Sequence, residues 1–141
     1  MKNLDYNFIK DTNEYYLIGI VSSCKEYKLA WLINNSFDIT LKKMNNEKIQ
    51  LINNKSVDMS YLIYKNKKKY LRLISNKLNR NQCKSHFISS LSDFDYLIQF
   101  SKNIFDGDLE DIINRLKSNN LIQFANFVDI KLVREKYLLY I

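Results

Sequence analysis

Proline is absent from this chain of 141 residues, and glycine occurs only twice, at Gly19 and Gly107. Phosphate-binding loops and dinucleotide-binding fingerprints need several glycines at fixed spacings, so the sequence holds neither of them. Cysteine is equally scarce: Cys24 and Cys83 form no close pair, and no metal-binding spacing is present. These absences predict a protein with no cofactor and no bound metal.

Long hydrophobic runs are missing as well. The longest, from Tyr15 to Val21, has seven residues, whereas a helix needs about 20 apolar residues to cross a bilayer. Asp5 and Asp11 interrupt the region where a secretory signal would need an unbroken apolar stretch. We therefore expect a cytoplasmic protein that has reduced thiols and no membrane partner.

The chain is rich in lysine, asparagine, isoleucine and tyrosine, all of which have AT-rich codons. Lysine and arginine together number 22 against 15 aspartates and glutamates, which gives a net charge of +7. A basic balance is typical of proteins with phosphate-bearing partners, but an AT-rich genome also produces it without selection for a basic surface. Both interpretations stay open. The hydrophobic share of 46% is ordinary for a globular protein, and we expect one domain over residues 1–141.

A first helix is predicted from about residue 24 to residue 35, shortly after the apolar run, which itself reads as a central strand. Ser23 and Glu26 have the spacing of a capping box, in which both side chains bind free backbone N–H groups at the helix start. Recurrence at helical spacing predicts that one stripe of this helix packs against a sheet. The stripe consists of Tyr27, Ala30, Trp31 and Asn34, widened by Leu29, Ile33 and Phe37.

Asparagine is expected at the turns, because it tolerates left-handed backbone conformations in a chain that has almost no glycine. Four pairs predict chain reversals or helix ends: Asn34-Asn35, Asn45-Asn46, Asn53-Asn54 and Asn119-Asn120. The segment from Val57 to Ser75 is predicted to be a hairpin that reverses near Asn66-Lys67. A two-residue loop there predicts two facing pairs, Ile63 with Tyr70 and Leu62 with Leu71.

The second half of the chain has the clearest periodicity. Alternation predicts a strand with one aromatic face, formed by Phe94, Tyr96, Ile98 and Phe100. A second helix is predicted from about 108 to 118, with acidic residues in its first turn and basic residues in its last, and a strand follows at Leu121 to Val128. The whole pattern predicts the α+β class: an antiparallel or mixed sheet of about five to seven strands, covered mainly on one face by the two helices.

Three segments stand out: residues 17–20, residues 25–34, and the stretch Ile88-Ser89-Ser90-Leu91-Ser92-Asp93-Phe94-Asp95-Tyr96. Together they resemble the bacterial IPExxxVDY family. The resemblance covers most of the chain in order, from the early strand to the last helix and strand.

Of the letters that give the family its name, this sequence keeps Ile88, Asp95 and Tyr96. Ser89 and Ser90 stand where the motif has Pro and Glu, and Phe94 stands where it has Val. The resemblance implies a bacterial cytoplasmic protein. It supplies no catalytic residues, because the family has no assigned activity.

The tip of the predicted hairpin is the best candidate for a nucleic-acid contact. Its members are Lys65, Lys67, Lys68 and Lys69, together with Tyr64 and Tyr70. Lysines neutralise phosphates and tyrosines stack on bases, so these six residues are candidates for RNA contact. Lysines at a hairpin tip also keep it soluble and block edge pairing, and this alternative stays open.

Cys24 and His86 are the sharpest candidates for catalysis. A thiol at a helix start is stabilised as the thiolate, and the only histidine of the chain would act as its base, oriented by Asp93 or Asp95. No local signature surrounds either residue, so we predict no catalytic residue. A small buried thiol and a histidine with a satisfied hydrogen bond are the simpler expectations.

The aromatic share of 13% and the absence of a catalytic pattern favour a non-enzymatic protein-interaction module. Its partner would be another protein or a second copy of the chain. A small RNA- or ribosome-associated protein is the second hypothesis. An enzyme that uses Cys24 or His86 is the third.

Overall fold

The computed structural model describes residues 15–50, 56–80 and 83–139. Within these ranges the chain forms a six-stranded antiparallel sheet with strand order β10-β1-β9-β6-β5-β2, two small two-stranded sheets (β3-β4 and β7-β8), and two α-helices. The predicted α+β class is therefore confirmed. In chain order the elements are β1 (Tyr15–Val21), α1 (Glu26–Phe37), β2 (Lys42–Lys43), β3 (Glu47–Gln50), β4 (Ser56–Met59), β5 (Tyr61–Asn66), β6 (Lys69–Ser75), β7 (Lys77–Arg80), β8 (Cys83–His86), β9 (Tyr96–Ser101), α2 (Leu109–Lys117) and β10 (Phe124–Phe127).

Both helices pack on one face of the large sheet, where they form the first core. Successive side chains of a strand point to opposite faces, so Ile18 and Ile20 of β1 face the helices whereas Leu17 does not. Other fully buried members of this core are Leu29, Leu32, Ile33, Leu71, Leu73 and Leu116. Burial of one such side chain contributes about 1.5–3 kcal/mol, so this layer is a major source of stability.

The other face of the sheet is covered by irregular structure, which forms the second core. The segment from Phe87 to Leu91 and the 3-10 helices Ile130–Leu132 and Lys136–Leu139 lie on this face. The second core includes Leu17, Met59, Ile74, Phe87, Ile88, Leu97, Val133, Leu138 and Leu139. Coverage on both faces explains why all six residues of β9 are buried.

The orientation of α1 differs from the prediction. Leu29, Ile33 and Phe37 are the residues that face the sheet, whereas Tyr27 and Trp31 point to solvent. The prediction that Trp31 packs on the sheet is wrong because both stripes recur every four residues. The aliphatic stripe is the one that is buried, because Leu32 and Ala30 widen it on either side.

The prediction of a capping box is wrong as well, because the Glu26 side chain binds residues outside the helix. The residue that caps α1 is Lys25, without a side-chain hydrogen bond, and the Glu26 carboxylate accepts hydrogen bonds from Ser60 and Ser75 of the sheet. A tertiary contact has replaced the local one.

The asparagine pairs were predicted with mixed success. Asn34-Asn35 lies inside α1, which continues to Phe37 and ends at Asp38, a residue in the left-handed conformation with φ of 54°. Asn45-Asn46 and Asn119-Asn120 do lie in connections between elements. Asn53-Asn54 lies outside the described residues.

The β5–β6 hairpin is present, but its reversal lies at Lys67-Lys68, so Ile63 faces Arg72 and Leu62 faces Leu73. The predicted pairing was therefore wrong by two positions. Lys67 adopts a positive φ of 60°, a conformation that favours glycine, and sequence patterns do not point to lysine there. A two-position shift leaves every side chain on its predicted face.

Phe94 does not belong to the aromatic face of β9. It precedes the strand, and its ring lies over Gly19 on the side of the second core, whereas Tyr96 and Phe100 face the first. An added Cβ on Gly19 would come within 2.5 Å of this ring. The alternation pattern extended the strand two residues too far.

Candidate functional site

The outer face of α1 carries two exposed aromatic side chains one helical turn apart. Tyr27 is 71% exposed and Trp31 is 61% exposed. Lys28 and Asn35 beside them are exposed too, and the Asn35 side chain donates to the Trp31 carbonyl at 2.7 Å. We call Tyr27, Lys28, Trp31 and Asn35 the α1 surface.

The first turn of α1 is held rigidly to the sheet through Glu26. Its carboxylate accepts hydrogen bonds from Ser75 at 2.6 Å, from Ser60 at 2.8 Å and from the Lys43 ammonium at 2.9 Å. Burial raises the pKa of this carboxyl, but the hydrogen bonds outweigh burial, so its pKa lies below the ordinary value. The α1 surface is therefore displayed by an element with little freedom to move.

Asp95 and Tyr96, which the family motif shares, bind the connection between β1 and α1. The Asp95 carboxylate accepts from the backbone N–H of Ser22 at 2.8 Å and pairs with Lys77 at 2.8 Å. The Tyr96 hydroxyl donates to the Cys24 carbonyl at 2.6 Å, and burial raises the pKa of Tyr96 to about 12. Both residues therefore fix where α1 begins.

Ile88, the third shared residue, is fully buried in the second core. Its backbone N–H donates to the Asn76 side chain at 2.7 Å, and the same side chain donates to the carbonyls of Leu91 and Phe94. These bonds organise the segment that leads into β9. The geometry around Ile88, Asp95 and Tyr96 is that of a structural framework.

Five of the six residues predicted to contact RNA line two neighbouring concavities, and Tyr70 lines neither of them. Lys67, Lys68 and Lys69 line a cavity of about 460 Å³ at the hairpin tip, together with Asn66 and Asn103. Tyr64 and Lys65 line a separate groove of about 900 Å³ at the outer edge of the sheet. Tyr70 packs against the second core, on the opposite face from Tyr64, which packs against the first.

The groove at the sheet edge contains residues that the sequence did not single out. Lys42, Lys43, Met44, Tyr61 and Ile63 line it, with Thr40, Asn45 and Glu47. The Tyr61 hydroxyl donates to Glu47 at 3.0 Å. Lys42 and Lys43 form β2 itself, and no local pattern indicates that so short a strand pairs with β5.

Among the described residues, the structure shows no hydrogen bond between Cys24 and His86. The Cys24 sulfur accepts from the Ser22 hydroxyl at 3.0 Å, whereas His86 lies on β8 opposite Lys77. Cys24 precedes the cap of α1, so it is not in the first turn as predicted. The side chain of Cys83 lies outside the description.

Within the same ranges, no three His, Cys, Asp or Glu side chains are grouped so that they would hold a metal ion. None of the helices described there is long and apolar enough to cross a membrane. Comparison with protein-family models, with curated proteins and with solved structures gives no match for this chain. Function is therefore inferred from its own surface chemistry.

Proposed function

We propose that this protein is a non-enzymatic protein-interaction module that binds its partner through the α1 surface. The exposure of Tyr27 and Trp31, one turn apart on a rigidly held helix, is the observation that carries the proposal. Tryptophan and tyrosine are the residues most enriched where interfaces concentrate their binding energy. Side chains this exposed contribute little to folding stability, which favours a binding role for the pair.

The charges around the pair favour a partner with carboxylates. Lys25 and Lys28 are exposed near the aromatic side chains, while the one acidic residue of the first turn, Glu26, is turned towards the sheet. The partner we propose is a protein with an apolar groove, which receives Trp31 and Tyr27, and with acidic side chains on its rim.

A second copy of the chain fits this surface less well. Two aromatic side chains remove only about 300–500 Å² from water even when fully covered, and a standard interface needs about 800 Å² from each partner. A twofold contact between two convex helices adds little to that area. A concave partner adds more, because it also encloses Lys28 and Asn35.

Trp31 is the only tryptophan of the chain, so its fluorescence reports directly on the α1 surface. Partners captured by photo-crosslinking from α1 are purified, and their affinity is measured for wild type, for Tyr27→Ala/Trp31→Ala and for Leu132→Ala. Leu132 is 76% exposed and serves as the matched control. The double variant should bind at least about 30-fold more weakly, and binding should shield Trp31 from a soluble quencher.

Wild-type affinity in the double variant, or an equal loss in the control, contradicts the proposal. A Trp31 emission that shifts with protein concentration alone points to self-association instead. The double variant is expected to fold, because exposed side chains contribute little to stability.

We also propose that the protein is bacterial and works in the cytoplasm. The resemblance of the motif around Asp95 and Tyr96 to the IPExxxVDY family supports this.

A further inference from the structure

The hairpin tip and the groove beside it adjoin at the end of β5, where Lys65 lines the groove and Asn66 lines the tip cavity from opposite faces of the strand. Six lysines line the two concavities: Lys42, Lys43, Lys65, Lys67, Lys68 and Lys69. Glu47 is the only acidic residue of the two linings, and it accepts the hydrogen bond of Tyr61. Among the described residues Lys43 alone of the six has an ion-pair partner, Glu26.

We propose that this edge of the sheet binds single-stranded nucleic acid. We name it the basic edge and define it as Tyr64, Lys67, Lys68 and Lys69, because Lys42 and Lys65 lie with Tyr70 on the opposite face of the sheet. The lysines neutralise successive phosphates, and Tyr64 supplies a ring against which one base stacks. A basic groove combined with an aromatic platform is the general arrangement by which proteins hold single strands without sequence preference.

Tyr64 is suited to stacking because the core holds it in place. It is half-buried, and its ring packs against the first core while it also lines the groove. Lys69 is its diagonal neighbour on the same face of the hairpin, since Tyr64 pairs with Leu71. Tyr70 is excluded from the site, because it packs on the other face of the hairpin.

An acidic peptide is the other ligand that lysines attract, but the backbone of this edge disfavours it. The Tyr61 carbonyl accepts from the Met44 N–H at 3.2 Å, so alternate residues of β5, Ile63 and Lys65, also direct their backbone groups towards β2. β2 is the outermost strand and has only two residues, which pair with Ile63 and Leu62, so the described part of this edge offers an added strand few backbone groups. A bound peptide would therefore form almost no backbone hydrogen bonds with the edge of the sheet, whereas nucleic acid does not need such bonds.

The test measures the affinity of labelled single-stranded RNA and DNA of one mixed sequence at two salt concentrations. Lys67→Gln/Lys68→Gln/Lys69→Gln is compared with the control Lys48→Gln/Lys117→Gln/Lys131→Gln, which removes the same charge from exposed positions elsewhere. The tip variant should lose at least tenfold in affinity, and its log–log salt slope should fall by about 2, which is 0.7 for each lost phosphate contact. The control should stay within about threefold of wild type.

Tyrosine substitutions test the stacking contact separately. Tyr64→Leu should weaken binding about tenfold at an unchanged salt slope, whereas Tyr64→Phe should retain it, because stacking needs only the ring. Tyr64→Phe also keeps the test valid if the leucine variant folds poorly. A duplex of the same sequence should bind more weakly than the single strand, since its bases are already stacked.

Several outcomes overturn the proposal: no binding of either strand at low salt, equal losses in the two lysine variants, or a loss in Tyr64→Phe as large as in Tyr64→Leu. Competition by pyrophosphate as effective as that by the oligonucleotide means that the edge holds a free phosphoanion only. A polyglutamate peptide or an anionic vesicle that binds more tightly than the single strand also overturns it.

Discussion

Arg72 is a charged side chain in the interior of the protein, only 4% exposed. Its guanidinium donates to the Gln99 side-chain oxygen at 3.1 and 2.6 Å and to the Leu139 carbonyl at 3.1 Å, and it lies 5.3 Å from the centre of the Tyr61 ring. Gln99 in turn donates to the same carbonyl at 2.7 Å. Burial lowers the pKa of Arg72. The hydrogen bonds to these neutral acceptors offset part of the desolvation cost of the buried charge.

Gln99→Leu is predicted to cost about 3 kcal/mol or more, because a buried cation that loses an acceptor retains its full desolvation penalty. Arg72→Met should restore part of this loss when it is added to Gln99→Leu, since the charge is then gone as well. Urea denaturation of the two single variants and the double variant measures the coupling. Strictly additive losses would mean that the two side chains do not act as one unit.

Position 19 requires glycine because the Phe94 ring lies directly over it. Phe94 covers its Cα so closely that a methyl group would clash with the ring, and the ring also stacks on Phe124 at 6.3 Å between centroids. Gly19→Ala is predicted to destabilise the fold by about 1–3 kcal/mol, the usual cost of overpacking. Phe94→Leu in the same chain should reduce the penalty of the alanine. If the penalty is unchanged, the clash is not its cause.

At the scale of elements, periodicity in the sequence predicted both helices to within about two residues, because an apolar stripe is a local property. It did not predict which of two stripes on α1 is buried. The wider aliphatic stripe is the one that is buried, and Glu26 fastens the start of the helix to Ser60 and Ser75, which are far away in the chain.

The α1 surface was missed because it depends on which stripe is buried, whereas the residues of the basic edge were singled out from the sequence. What the sequence did not predict is that Tyr64 lies on the same face as Lys69 and Tyr70 lies on the other.

The turn of the β5–β6 hairpin contains a residue in an unfavourable conformation. Lys67 has a φ of 60° at the first central position, where glycine is the usual residue. Lys67→Gly is predicted to raise the free energy of unfolding by up to about 1 kcal/mol through the release of this strain.

Lys68→Gly is the matched control for this turn, since Lys68 is not among the described residues with positive φ. It should lower stability by about 0.5–1 kcal/mol, because glycine costs entropy without relieving strain. The two variants carry the same charge and differ by one position, so thermal unfolding compares them directly. A loss of stability in both would contradict the assigned turn conformation.

At the scale of the whole molecule, the least regular part of the chain completes the fold. The segment that contains Val133, Leu138 and Leu139 covers the second core, although no pattern in the sequence marks it as a helix or strand. It is joined to the segment before β9 by Glu135, whose carboxylate accepts from the Ser89 hydroxyl and from both the backbone N–H and the hydroxyl of Ser90.

This junction makes stability depend on pH. Burial raises the pKa of Glu135, but the hydrogen bonds from Ser89 and Ser90 outweigh burial and lower it from 4.5 to about 2. The folded state therefore binds this proton less readily than the unfolded state, so the contribution of Glu135 is fully present above pH 4.5 and is lost as the pH falls towards about 2.

Glu135→Gln is predicted to lower stability at neutral pH and to flatten its decline between pH 4.5 and about 2, because the group that takes up the proton is gone. Glu110→Gln, an exposed position on α2, is the control and should follow the wild-type curve. Urea denaturation at a series of pH values gives these curves. Part of the acid sensitivity should survive in Glu135→Gln, since the pKa of Glu26 is lowered too. An acid decline as steep as that of wild type would show that Glu135 does not hold the C-terminal segment against the second core.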